Sequence, residues 1–113
     1  MQISVTGKQI AVGEALRSHA ETRLAESVEK YFEHAIEGSV VFSKSGKGKQ
    51  TRADISVHVG RGMLTQGHGE GDDAHAAFDA ATERVAKQLR RQKRRLRDHR
   101  KNVPTGTDQE QKA

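Results

Sequence analysis

Between Thr51 and Gly60 the chain alternates: Ala53, Ile55, Val57 and Val59 are apolar, and Asp54, Ser56 and His58 between them are polar. A period of two turns successive side chains to opposite faces, so this segment is a strand with one dry face and one wet face. A one-sided strand is stable only as part of a sheet whose dry face is covered by other elements. The rest of the sequence supplies both sheet and cover.

Shorter strand patterns lie on either side. QISVTG (2–7) alternates through Ile3 and Val5 and stops at Gly7, and IEGSVVFS (36–43) is a second strand. KSGKGKQ (44–50) is a Gly- and Lys-rich turn, and GRG (60–62) suits a hairpin. MLTQGHG (63–69) follows as a fourth strand, weakened by Gly67 and Gly69. Between the first two strands the period lengthens. Val12, Leu16, Ala20, Leu24, Val28 and Phe32 recur every fourth residue, with Glu14, Arg17, Glu21 and Arg23 off the stripe, which predicts an amphipathic helix. A second helix begins at Ala74 behind an N-cap at Asp72 or Asp73. The order is β-α-β-β-β-α, in the α+β class.

At about 100° per residue, Ala74, Phe78, Ala81, Val85, Leu89 and Leu96 fall on one face of the second helix, which is its core stripe. The same rotation groups Arg84, Lys87, Arg91, Arg94 and Arg95 on one flank and Arg90, Lys93, Arg97, Arg100 and Lys101 on the other. The oily stripe therefore runs between two basic walls. From Ala74 to Arg100 the helix is about 40 Å long, more than a strand of the sheet needs. VPTGTDQEQKA after Asn102 has no apolar period, so residues 1–101 are the predicted domain and 102–113 a disordered tail or the start of a linker.

Residues 83–101 carry ten of the chain's twenty Lys and Arg against Glu83 and Asp98. That is +8 in a chain of +5 overall, so the other 94 residues hold −3 and the basic character belongs to one segment. A solvated helix face normally alternates signs to gain i,i+4 pairs, whereas this one offers a single acid after Arg84. A dense basic stripe is the footprint of phosphate binding, which gains affinity by releasing counterions. A membrane surface and an acidic protein partner are the other anionic possibilities.

Other chemistries find little support. The chain has no cysteine, which removes disulfides, thiolate catalysis and Cys-ligated zinc. His19, His34, His58, His68, His75 and His99 show no metal-ligand spacing, and GEG and GKG lack the context of a nucleotide loop, so no metal, cofactor, small-molecule substrate or catalytic residue is expected. No apolar run reaches membrane-spanning length and MQISVTGKQI does not resemble a signal peptide, so a cytoplasmic location without membrane contact is expected.

The opening MQISVTGKQIAVGEALRSHAETRLAESVEKYF, the strand TRADISVHV and the helix DDAHAAFDAATERVAKQLRRQKRRLRDH together resemble the N-terminal domain of the hibernation promoting factor family, which includes the ribosome-associated inhibitor, protein Y. The resemblance implies one four-stranded sheet with two helices packed on one face, similar to a double-stranded RNA-binding domain. It further implies a non-enzymatic factor that binds 16S rRNA of the small subunit, and the 70S ribosome, in the groove for mRNA and tRNA. Such a factor inhibits translation in stationary phase or stress, and the isolated domain is expected to be monomeric. The family's basic positions fall on Arg84, Lys87, Arg91 and Arg95, with Arg94 on the same flank, and also on Arg23, Lys30 and Lys44. Where many members open the second helix with Asp-Met-Tyr-Ala-Ala, this chain has Asp73, Ala74, His75, Ala76 and Ala77. Long members add a C-terminal dimerisation domain after a linker. The chain is then either a short form or a long form cut in that linker, and the extra basic density of RRQKRRLRDHRK favours the second. A generic double-stranded RNA-binding module acting away from the ribosome is the alternative function.

Overall fold

A computed structural model describes residues 1–33, 35–46, 50–60 and 62–102, with side chains as far as Arg95. Among these residues the order is β1 (Gln2–Gly7), α1 (Glu14–Glu29), β2 (Glu37–Lys44), β3 (Thr51–Gly60), β4 (Met63–Gly71) and α2 (Ala74–Asn102). The strands form one sheet in the order β1-β2-β3-β4. β1 runs parallel to β2, with α1 as the crossover, and β2-β3-β4 is an antiparallel meander. The expected tail from 103 onward and residues 47–49 of the Gly-Lys turn lie outside the described residues. Asn102, placed in the tail by the sequence, is the last residue of α2.

The alternation that predicts β3 is obeyed along its length: Thr51, Ala53, Ile55, Val57 and Val59 are buried and the residues between them are half-exposed. Val5 of β1 and Val40 and Phe42 of β2 extend the dry face. Both helices cover that face. Leu24 of α1 lies against Gly38, and Ala81 of α2 against Gly69. Ala20, Leu24 and Val28 from α1 and Ala77, Phe78, Ala81, Val85 and Leu89 from α2 complete the core with essentially no exposed area. The β3–β4 hairpin turns through Gly60 at φ 96° and Gly62 at φ 73°, backbone that only glycine adopts cheaply, with a register shift at His58/Gly60.

The first helix is shorter than its stripe. α1 starts after Gly13, which has no side-chain cap, and ends at Glu29, while Val12 and Phe32 reach the core from the flanking loops. The fourth strand is longer than predicted and not weak. Its glycines are the reason α2 can lie where it does: a Cβ on Gly69 would meet Ala81 N at 2.5 Å and Ala80 Cβ at 2.6 Å, and one on Gly71 would meet Ala76 Cβ at 2.6 Å. Gly67, Gly69 and Gly71 all face inward, and Ala76, Ala77, Ala80 and Ala81 are the helix residues laid against Gly69 and Gly71. The loss of strand tendency is offset by close helix-on-sheet packing.

Candidate nucleic-acid interface

The entry to α2 is fixed by Asp73, whose Oδ1 accepts the Ala76 N–H at 2.8 Å and whose carbonyl accepts the Ala77 N–H. This selects Asp73 over Asp72 as the N-cap. From there two glutamines hold the helix to β4. The Thr65 hydroxyl donates to Gln92 Oε1 at 3.0 Å, and Gln88 Nε2 donates to the Gln66 carbonyl at 2.7 Å. Thr65 is fully buried, so its hydroxyl needs that partner. Sequence reasoning misses both glutamines; they occupy the edge of the core stripe on the β4 side, which is the signal that would have found them.

With the stripe seated, the rotation fixes the flanks. Arg84 Cβ lies beside Gly67, so the side of α2 carrying Arg84, Lys87, Arg91 and Arg95 overhangs β4. All four, with Arg94 at the outer rim, are exposed, and none forms a salt bridge among the described residues. Their separations of three, four and four residues correspond to steps of about 4.5, 6 and 6 Å along the axis. The result is a row of exposed cations about 16 Å long beside a sheet edge.

The structure divides the remaining predicted residues from this row. His19 of α1 meets His75 and Phe78 of α2 with ring centroids 4.8 and 5.7 Å apart, and its Nε2 lies 4.0 Å from Asp79 Oδ1. His75 and Asp79 sit on the other side of α2, so α1 flanks the wall that contains Arg90 and Lys93. Arg23 and Lys30 follow His19 on the same stripe of α1 and belong to that second side. Arg23 is 3.8 Å from Glu26, and Lys30 Nζ stands over the Tyr31 ring at 5.8 Å. Lys44 ends β2 opposite Thr51, at the end of the sheet where α2 begins. The predicted set is therefore one row of five on the β4 side of α2 and three separate cations. His75, where the family motif has an aromatic residue, keeps a ring contact across the two helices.

The open face of the sheet is a poor rival for nucleic acid. It carries Ser4, Thr6, Ser39, Val41, Ser43, Ser56, His58, Leu64, Gln66 and His68, with no Phe, Tyr or Trp on which a base could stack. Its one arginine is paired, and its remaining charges, Glu37 and Glu70, are negative. Arg52 grips Asp54 with Nε–Oδ2 at 3.0 Å and Nη2–Oδ1 at 3.1 Å, and Glu70 accepts the Ser45 hydroxyl. The hydrogen bond and then the charge of Asp54 hold the Arg52 guanidinium further in its charged form. Among the described residues no group of three His, Asp or Glu is arranged to hold a metal, and no helix is long and apolar enough to cross a membrane.

A two-layer α+β domain with a β-α-β-β-β-α order and a cationic second helix is the class that fold and surface define. The chain belongs to the Sigma 54 modulation protein / S30EA ribosomal protein family, whose model matches residues 3–97. It is 36% identical over 99 residues to a ribosome hibernation promotion factor of Rhizobium meliloti, covering 88% of this chain and 51% of that protein. It is 35% identical over 100 residues to a ribosome hibernation promoting factor of Salmonella typhimurium, covering 88% of this chain and all of that one. The chain thus spans about half the length of the rhizobial relative and the whole of the enterobacterial one. Among solved structures it is similar to the Thermus thermophilus Protein Y N-terminal domain, with a TM-score of 0.68, 31% identity, and coverage of 80% of this chain and 98% of that one. A ribosomal subunit interface protein from Coxiella burnetii shares the fold, with a TM-score of 0.69, 20% identity, and coverage of 83% of this chain and 99% of that one.

Proposed function

We propose that the protein is a non-enzymatic, cytoplasmic ribosome hibernation factor. It binds 16S rRNA in the mRNA and tRNA groove of the small subunit and inhibits translation in stationary phase or stress. Family membership and relatives named for ribosome hibernation support the class of function. The observation that carries the binding mode is the exposed row Arg84, Lys87, Arg91 and Arg95, which forms no salt bridge among the described residues, on a helix locked to the sheet. Arginine suits this task because its planar fork holds two phosphate oxygens at once. The absence of aromatic side chains from the open sheet face favours backbone and shape recognition over base stacking.

The test compares the two walls of α2. Changing Arg84, Lys87, Arg91 and Arg95 together to Gln preserves helix propensity and touches no core residue. Cosedimentation with small subunits should fall steeply, and the slope of log affinity against log salt should drop by roughly three to four units, one for each phosphate no longer neutralised. The matched change of Arg90, Lys93, Arg97 and Arg100 to Gln should cost less, through long-range attraction alone. Equal losses from two folded variants would show that charge density suffices and that the row is not the site. Tight binding to a generic RNA duplex, without preference for the small subunit, would favour the double-stranded RNA module instead.

A further inference from the structure

We propose that the free edge of β4, beneath the cation row of α2, takes an extended acidic segment of a partner protein as an added strand. Among the described residues β4 has no neighbour beyond it in the sheet. Which of its main-chain groups are free follows from the ladder. The Ser45 N–H donates to the Gln50 carbonyl at 2.8 Å, which makes that opposed pair a hydrogen-bonded one. Hydrogen-bonded and open pairs alternate, so Arg52, Asp54 and Ser56 turn their main chains to β2, and Ala53, Ile55 and Val57 turn theirs to β4. On β4 this leaves Leu64, Gln66, His68 and Glu70 pointing their N–H and C=O groups away from the sheet. The carbonyl of Gln66 agrees, because it is the one bonded by the Gln88 side chain.

The edge therefore offers donors and acceptors in alternation, under a row of positive charge. An RNA strand would gain from the N–H groups but meet each neighbouring carbonyl with its own phosphate oxygens, whereas a peptide main chain satisfies both. A second copy of β4 would bring two exposed cation rows together, so self-pairing is opposed by like charge. The row follows part of this edge: Arg84 stands over Gly67 and Gln92 meets Thr65, so the cations run along the Leu64–Gly67 half of β4 toward its hairpin end. An added strand presents every second side chain toward α2, about 7 Å apart, so alternating carboxylates meet Arg84, Lys87, Arg91 and Arg95 in turn. Glu70 carries the one acid of this edge and lies at its far end, which centres the acidic segment on Leu64 to His68. Such a segment covers the same flank as the rRNA reading, and the two ligands exclude each other. The proposal stands without that reading, since its assay contains no ribosome.

The probe is a fluorescein-labelled peptide of alternating glutamate and valine, about eight residues long to match the edge, titrated with the whole protein and read by anisotropy. Binding should weaken about tenfold or more when alternate peptide nitrogens are N-methylated, because the charges stay and the strand hydrogen bonds go. His68→Pro, which removes one outward N–H at an edge position that tolerates proline, should weaken it similarly, and Gln88→Ala, which uncovers the Gln66 carbonyl, should strengthen it. The unmodified protein with the N-methylated peptide keeps the test valid if His68→Pro fails to fold. Equal binding of both peptides would overturn the proposal in favour of charge alone, as would self-association of the free protein through this edge in analytical ultracentrifugation.

Discussion

Gly69→Ala is the sharpest test of how α2 is seated. The added methyl would lie 2.5 Å from Ala81 N, 2.6 Å from Ala80 Cβ and 2.9 Å from the Ala77 carbonyl oxygen. Two of these are helix backbone atoms, so no side-chain rotation relieves the clash and the helix must retreat by about 1 Å to reach ordinary contact near 3.5–4 Å. Overpacking of a close-packed layer costs about 1–3 kcal/mol, and the upper end applies where backbone must move. Replacing glycine also restricts the unfolded chain, which returns about 0.4–1 kcal/mol. A net loss of about 2 kcal/mol lowers the melting temperature of a domain this size by about 8–16 °C. Thermal unfolding followed by far-UV circular dichroism measures it, with Gly46→Ala as control because no described residue lies within 4 Å of a Cβ there. The three inward glycines should rank Gly69 and Gly71 well above Gly67, whose nearest neighbour is the Val85 Cγ2 side-chain atom at 3.0 Å. A Gly69→Ala protein that melts with the control would refute close seating and, with it, the placement of the cation row over β4.

Asp73→Ala removes the hydrogen bond to the Ala76 N–H and should destabilise by about 1 kcal/mol in urea unfolding, more than Asp72→Ala, which has no such bond among the described residues. Gln9→Gly should raise the melting temperature slightly, because Gln9 stands at φ 59° in the β1–α1 connection, where a non-glycine residue costs about 1–2 kcal/mol, against about 0.4–1 kcal/mol for the freer unfolded chain of a glycine. A lower melting temperature would show that the Gln9 side chain contributes more than its backbone strain.

β3 is legible to the residue because its alternation records a physical asymmetry, one dry face and one wet, that the fold obeys. The core stripe of α2 from Phe78 to Leu89 and the flank from Arg84 to Arg95 are legible for the same reason: a rotation of fixed angle sorts side chains without knowledge of neighbours. The stripe of α1 overruns the helix since Val12 and Phe32 also reach the core, and a burial period counts faces rather than main-chain hydrogen bonds. β4 reads as weak in sequence because single-strand tendency does not register what lies opposite. The glycines of GHGEG are favourable only when read against the alanines of AHAAFDAA, two segments that the turn brings face to face. The parallel pairing of β1 with β2 depends on a crossover and leaves no mark in either strand. Lastly, which basic residues share a surface depends on which side of α2 the first helix lies, and that is what separates Arg23 and Lys30 from the Arg84 row.

The position of α2 as the last element of the sheet's cover has a consequence for synthesis. β2, β3 and β4 are contiguous in sequence and can pair as soon as they are made. Their dry face, with Val40, Phe42, Ile55 and Val57, cannot be closed by α1 alone, since Phe78, Ala81, Val85 and Leu89 supply the rest of the buried cover. A growing chain therefore carries an assembled or half-assembled sheet with an oily side until Leu89 has left the ribosome. The domain is an all-or-none product of translation, and any chain interrupted before that residue is a substrate for chaperones and proteases rather than a smaller version of the protein.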